Sequence, residues 1–346
     1  MRIEKKQFIF FGYLIFSTFV LLGFSELVCE LLLRYPSIIK DTIMIGPLRT
    51  YHGNYERNIV QLNANYSQYD SLLSYTLKPG SFTFSNREFD KLMHVNSLGV
   101  RDDEKSIMEP EIVVLGDSHA MGWGVENDSS FVSLIEANTG KVVLNTAISS
   151  FGTYRQFKIL ERIDTRKTQY LIIQYCENDY RENITAINNS YVLPVMSKQA
   201  FDSLMNFHMS SRQYYFGKHS SLLTKTIING FARRISKNKP KPEETYQAVD
   251  AFLNILKENA DIIYNKRIIV FEINEFGKFE DNFASKLMTR LNSDDYNSIN
   301  KQISVIDFRG IIDEQHCFTL DGHMMPTGHK IVANEICNKI RLSQEQ

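Results

Sequence analysis

Five short apolar runs with intervening segments of helical period constrain this chain more than any other feature. The runs are Glu111–Leu115, Lys141–Ile148, Tyr170–Tyr175, Arg267–Ile273 and Ile303–Phe308. They are continuous rather than alternating, so they predict strands buried on both faces, as in a parallel sheet covered by helices. Helices are predicted at Ser129–Ala137, Thr153–Ile163, Glu243–Ile263 and Asn282–Leu291, with a last one from Thr327 through Ile340. Asp128 or Ser129 is the expected N-cap of the first, with Gly140 just beyond its end. Thr153-Tyr154-Arg155-Gln156 has the form of a capping box. The sum is a three-layer α/β/α domain on a mainly parallel five-stranded sheet.

Two regions stand outside this pattern. Residues 35–109 read as an irregular juxtamembrane region with short strands such as Ser81–Phe84. Residues from about 180 to 245 interrupt the alternation, with helical patches at Phe201–Phe207 and Leu222–Phe231 and a polar, proline-bearing loop at Lys237–Pro242. They read as a partly helical insertion over the C-terminal edge of the sheet. The globular domain is therefore drawn at 110–346, and no internal repeat is visible.

The first 34 residues read as a transmembrane anchor. Phe8 to Ser25 carries no charge, and the apolar stretch runs on to Arg34, interrupted by Glu26 and Glu30. Such a run suffices for the ~30 Å hydrocarbon layer. It exceeds the roughly 7–15 residues of a signal-peptide core and lacks an Ala-x-Ala site, so it is expected to remain uncleaved. Arg2, Lys5 and Lys6 precede it, so the positive-inside rule places the N-terminus in the cytoplasm and the remainder outside, in the periplasm or extracellular space.

The formal net charge is −1, which gives no ground for a nucleic-acid partner. Four cysteines, Cys29, Cys176, Cys317 and Cys337, are too few for a disulfide framework, and a single bridge among the last three is open. Asp313, His316, Cys317, Asp321 and His323 follow no metal-ligand spacing, so no metal or cofactor is expected. The basic run Arg233, Arg234, Lys237, Lys239 and Lys241 reads as solvated surface, with contact to an anionic lipid or polysaccharide as the sharper alternative.

Chemistry is concentrated where strands end. The first run leads into Gly116-Asp117-Ser118-His119-Ala120, the second into Ser149-Ser150-Phe151-Gly152, and the third into Cys176-Glu177-Asn178-Asp179. Asp321-Gly322-His323-Met324-Met325-Pro326 precedes the last helix. In a parallel α/β sheet these segments share one face. Acyl transfer needs a nucleophile, a base, a group that orients the base, and donors for the oxyanion. Ser118 supplies the nucleophile, His323 the base, and Asp321 the orienting carboxylate. The N–H groups of Ser118 and Ser150 and the Asn178 amide supply the donors, with Gly152 as the alternative to Ser150. Asp117, His119 and Asp179 are expected to support the site, Asp117 as an acceptor within the turn, His119 as a wall and Asp179 as a brace for the Asn178 loop. His329 is placed in the first turn of the last helix.

In this order the blocks resemble the SGNH/GDSL hydrolase family. The Gly-Asp-Ser block falls at Ser118, the Asn-Asp block at Asn178-Asp179, and the C-terminal block at Asp321, His323, Pro326 and Gly328, over residues from about 110 to 340. Membrane-anchored bacterial members with a helical insertion are the nearest likeness, and Asn96–Asp102 looks like their lead-in to the catalytic domain. The resemblance implies a flavodoxin-like fold and a Ser-Asp-His triad. Two departures stand out: Ser150 occupies the family's oxyanion-hole glycine position, and the usual Asp-x-x-His is Asp-x-His here. The expected activity is that of a serine esterase or deacylase on acyl esters, O-acetyl above all, of cell-envelope glycan or lipid. The alternatives are an O-acyltransferase of polysaccharide biosynthesis, working with envelope biosynthesis partners, and a non-catalytic scaffold in an envelope assembly.

Overall fold

The computed structural model describes residues 5–235, 242–279 and 282–344. Helices α1 (Lys5–Arg34) and α2 (Ile45–Tyr55) come first. Two antiparallel hairpins follow, β1 (Ser67–Asp70) with β2 (Ser74–Leu77) and β3 (Gly80–Asn86) with β4 (Phe89–Val95). The alternating part comprises β5 (Ile112–Leu115), α3 (Ser118–Met121), α4 (Phe131–Thr139), β6 (Val143–Asn145), α5 (Thr153–Ile159), β7 (Tyr170–Tyr175) and α6 (Asp179–Asn188). Then come α7 (Lys198–Ser211), α8 (Lys218–Ile235), α9 (Pro242–Glu258), α10 (Ala260–Ile263), β8 (Arg267–Glu272), α11 (Phe283–Leu291), α12 (Asn297–Asn300), β9 (Ile303–Ile306) and α13 (Pro326–Gln344).

The five strands predicted from apolar runs form one sheet in the order β6-β5-β7-β8-β9, every neighbouring pair parallel. Successive residues of each strand feed opposite cores, as the period of two requires. Val113, Leu115, Leu171, Ile173, Ile268 and Val270 face the side covered by α5, α9 and α11. Ile112, Val114, Tyr170, Ile172, Ile269 and Phe271 face the side covered by α4 and α13. The result is the three-layer α/β/α sandwich, in the flavodoxin strand order. That order reverses direction at β5, whose C-terminal end is therefore the topological switch point.

The chain divides into two compact units. One comprises Met1–Arg57, Ser210–Lys239 and Thr319–Asp321; the other holds the sheet and its helices. The first unit has its own small core, built from Leu33, Leu48, Tyr51, Leu223 and Leu320. The stretch read as one insertion thus splits. Phe201 and Met205 of α7 join the sheet-side core, whereas α8 packs with α1 and α2. The side chains of the basic run Arg233–Lys241 lie outside the described residues.

Two local expectations are corrected. Ser130, not Asp128 or Ser129, caps α4 by accepting from the Ser133 N–H. Asn127–Ser129 instead form a preceding 3-10 turn, and Gly140 closes the helix at a left-handed φ of 67°. Thr153 and Gln156 do not form a capping box. Gly152 is the N-cap of α5, and both side chains turn to the buried Asp179 carboxylate. All four cysteines are free thiols.

Candidate active site

The turn after β5 is built on a glycine that nothing larger can replace. A Cβ on Gly116 would stand 2.5 Å from the Ala120 Cβ and 2.8 Å from the Gln174 Oε1. That Oε1 accepts the Asp117 N–H at 3.1 Å, while the Gln174 Nε2 donates to the carbonyls of Tyr175 and Ile273. Gln174 is fully buried and ties the Ser118 turn to β7 and the end of β8. Asp117 caps α3, its Oδ1 accepting from the His119 N–H at 3.0 Å. Burial raises the Asp117 carboxyl above its ordinary range, against the pull of that hydrogen bond and of His323.

Ser118 opens α3, and its N–H has no hydrogen-bond partner among the described residues. Its Oγ lies 2.7 Å from the His323 Nε2. Two rings pack against that of His323: the Trp123 indole stacks on it at 4.7 Å and 15°, and the His119 ring lies 4.7 Å away at 35°. The loop of His323 is fixed on its own. The His323 carbonyl accepts from the Phe318 N–H at 2.9 Å, and the Gly322 carbonyl from the Phe276 N–H at 2.8 Å. Gly322 has φ 85° and abuts the Phe276 ring, so a side chain there is excluded twice over. Asp321 stands two residues before His323 in this loop and is 1% exposed; its carbonyl accepts from the Arg57 Nη1 at 3.3 Å.

Ser150 lies beyond β6, and Asn178 beyond β7, on the two strands flanking β5. Ser150 adopts φ 64°, the left-handed region that a glycine enters freely and a serine at a cost of about 1 kcal/mol. Its N–H has no partner among the described residues, and its Oγ accepts from the Gln61 Nε2 at 2.8 Å. The Gly152 N–H, by contrast, is taken by the Glu182 Oε1 at 3.1 Å. Asn178 is exposed, and its side-chain amide caps nothing. Asp179 beside it is fully buried, with the Thr153 hydroxyl at 2.9 Å and the Gln156 amide at 3.3 Å on its Oδ2; burial pushes its carboxyl well up. His329 lies in the first turn of α13, where its Nδ1 accepts the Phe131 N–H at 3.2 Å. Burial pushes its pKa down to about 3, so the ring is neutral and structural.

Sequence reasoning missed four residues here. Trp123, the only tryptophan, is buried against the His323 ring. Gln61 comes from the region read as irregular. Gln174 sits inside an apolar strand. Arg101, from the lead-in segment, donates to the carbonyls of Met121, Gly122 and Val125 and to the Asn127 Oδ1, knitting the chain that follows Ser118. A lone polar residue in an apolar strand was the one available signal, at Gln174. The other contacts join residues far apart in sequence. No group of three or more metal-ligating side chains occurs among the described residues; Asp313 and His316 serve a 3-10 turn cap.

Glu182 gives a test of this wall of the site. Burial outweighs its Arg155 partner at 2.6 Å and pushes its pKa up to about 7, from an ordinary value of 4.5. A folded-state pKa raised this way contributes stability that is present below about pH 4.5 and lost as pH rises through about 7. Between about pH 5 and pH 8 the wild type should therefore lose more thermal stability than Glu182→Gln, which lacks the titration. Equal losses in a melting series would show that the carboxyl is solvated.

No family model matches the chain, and no curated protein matches it. Solved structures do. A family two carbohydrate esterase from Clostridium thermocellum, solved with cellohexaose, aligns at 11% identity and TM-score 0.42, over 68% of this chain and 65% of its own. An acetyl xylan esterase from Butyrivibrio proteoclasticus aligns at 9% and 0.40, over 74% and 67%. A putative lipolytic protein of the G-D-S-L family from Desulfitobacterium hafniense aligns at 12% and 0.35, over 66% and 97%. The chain thus spans about two-thirds of the carbohydrate esterases it matches. At such identities and TM-scores the chemistry of the site rests on this chain's own residues.

Proposed function

We propose that this chain is a membrane-anchored serine esterase that removes acyl groups, O-acetyl above all, from cell-envelope glycan or lipid. The observation that carries this is the 2.7 Å approach of the His323 Nε2 to the Ser118 Oγ, beside two unpartnered N–H groups at neighbouring strand ends. As the Oγ attacks the acyl carbon, His323 takes its proton, and the carbonyl electron pair moves onto oxygen. The N–H groups of Ser118 and Ser150 and the Asn178 amide receive that charge. Ser150 serves rather than Gly152, because the Gly152 N–H is already committed to Glu182. The intermediate collapses, the ester C–O bond breaks, and His323 returns its proton to the departing alkoxide. Water then repeats the cycle on acyl-Ser118, and the free acid leaves. Asp321 is assigned to orient the imidazole and stabilise its charged form. Trp123 and His119 pack against the ring.

A sugar hydroxyl in place of water would make the same first half-reaction a transfer. The chain is tested as purified full-length protein in detergent with a fluorophosphonate probe, followed by peptide mass analysis. Modification at Ser118 is expected; a folded protein that stays unmodified favours the scaffold. Acetyl-ester turnover with and without glycan acceptor then separates hydrolysis from transfer. Asn178→Ala should lower kcat about 10²–10³-fold with little change in KM, the loss typical of one oxyanion donor. An unchanged kcat would remove Asn178 from the site.

The anchor is α1, the one helix among the described residues long and apolar enough to cross a membrane. With Arg2, Lys5 and Lys6 on the cytoplasmic side, the site faces the periplasm or exterior, where acylated envelope polymers are found.

A further inference from the structure

The exposure of α1 changes along its length. Every residue from 6 to 22 is exposed, a stretch of about 26 Å at 1.5 Å per residue, close to the ~30 Å hydrocarbon thickness. From Gly23 onward the helix begins to pack, and Glu26 and Leu33 are buried. Glu26, an acidic residue in an apolar helix, has a specific task. Its carboxylate accepts from the N–H groups of His219 and Ser220, both at 3.0 Å, and from the Ser220 Oγ at 2.8 Å, so it caps the start of α8. Ser25 meets Ser220, hydroxyl to hydroxyl, at 2.8 Å, and Glu30 lies 3.3 Å from the His219 Nε2. Further along, α8 puts Leu223 in the same core as Leu33. Its start therefore lies beside α1 where the exposed apolar stretch ends.

The loop that enters α8 at that level is Tyr214-Tyr215-Phe216. Its side chains are 61%, 54% and 56% exposed, and the Tyr214 ring lies 5.3 Å from the His219 ring. Three consecutive exposed aromatics are costly in water and favoured at a membrane interface, where an apolar ring and a polar hydroxyl each find their medium. They lead into α8 beside Glu26, the level at which the exposed apolar stretch of α1 ends. Given the anchor proposed above, on which this depends, we infer that Tyr214–Phe216 is a second membrane contact, seated in the headgroup region of the leaflet from which α1 emerges. The hydrocarbon boundary then falls at Ser25–Glu26. The last two turns of α1 stand clear of lipid as part of the helical unit.

The test uses full-length protein in phosphatidylcholine vesicles, with or without bromine on the acyl chains as a contact quencher. The natural Trp123 supplies the baseline, from which the added emission of Phe216→Trp and, separately, Tyr13→Trp is measured. The expected result is that brominated lipid removes most of the added emission of both variants, and that the Phe216→Trp spectrum is blue-shifted from that of an indole in water. Quenching of Tyr13→Trp with unquenched, unshifted emission from Phe216→Trp overturns the interfacial loop and leaves the anchor standing. If Tyr13→Trp is itself unquenched, the anchor fails and the loop with it. Both positions are on exposed surface, so neither variant disturbs a packed core.

Discussion

Ser118→Ala should abolish fluorophosphonate labelling and lower ester turnover by about 10⁴-fold or more, with the melting temperature nearly unchanged. The size follows from the chemistry. Without the Oγ there is no acyl-enzyme, and only the oxyanion donors and substrate binding remain to assist water. His323→Ala should fall almost as far, because the Oγ is a poor nucleophile unless its proton has somewhere to go. The double variant should be no worse than the worse single one, since the two side chains, 2.7 Å apart, act as one device. Additive losses would show that the contact is not the reacting one. Retained labelling in Ser118→Ala would move the nucleophile elsewhere.

Trp123 carries the second large effect, and it has two readouts. The side chain is 2% exposed, edge-on to Phe84 at 4.8 Å and 82°, and stacked on His323. Trp123→Ala should cost about 3–5 kcal/mol of stability, through lost burial and the cavity left behind. Trp123→Leu keeps most of the packing and removes the π face. An indole face favours a cation above it, by about 0.5–1 kcal/mol when exposed and about 2 when desolvated. It therefore stabilises the His323 imidazolium that forms during attack. Its loss should lower kcat, because that charge loses its stabiliser and the ring is held less well. A stability loss with kcat unchanged would reduce Trp123 to packing.

The sheet was legible in the sequence because each strand carries a run that only a doubly covered position would keep apolar. The ends of helices were less legible. Thr153 and Gln156 fit a capping box by spacing, yet a buried carboxylate from α6 outbids the helix for their hydrogen bonds. Ser118, Ser150 and Asn178 stand out in the sequence because strand ends are marked locally by small and polar residues after an apolar run. Trp123, Gln61 and Arg101 were missed because their contacts join distant segments, and nothing in a window of ten residues distinguishes them from core or surface. The same holds for Glu26. The sequence presents it as a blemish in an anchor, and only the position of α8 explains it.

The buried amide of Gln174 has a consequence in time rather than in energy. Its two ends bridge the turn after β5 and the strands β7 and β8, so the Asp117 N–H cannot reach solvent by a local opening of the turn alone. Hydrogen exchange at that amide should therefore be as slow as in the central strands, and Ser118 should lose its position only when the sheet itself opens.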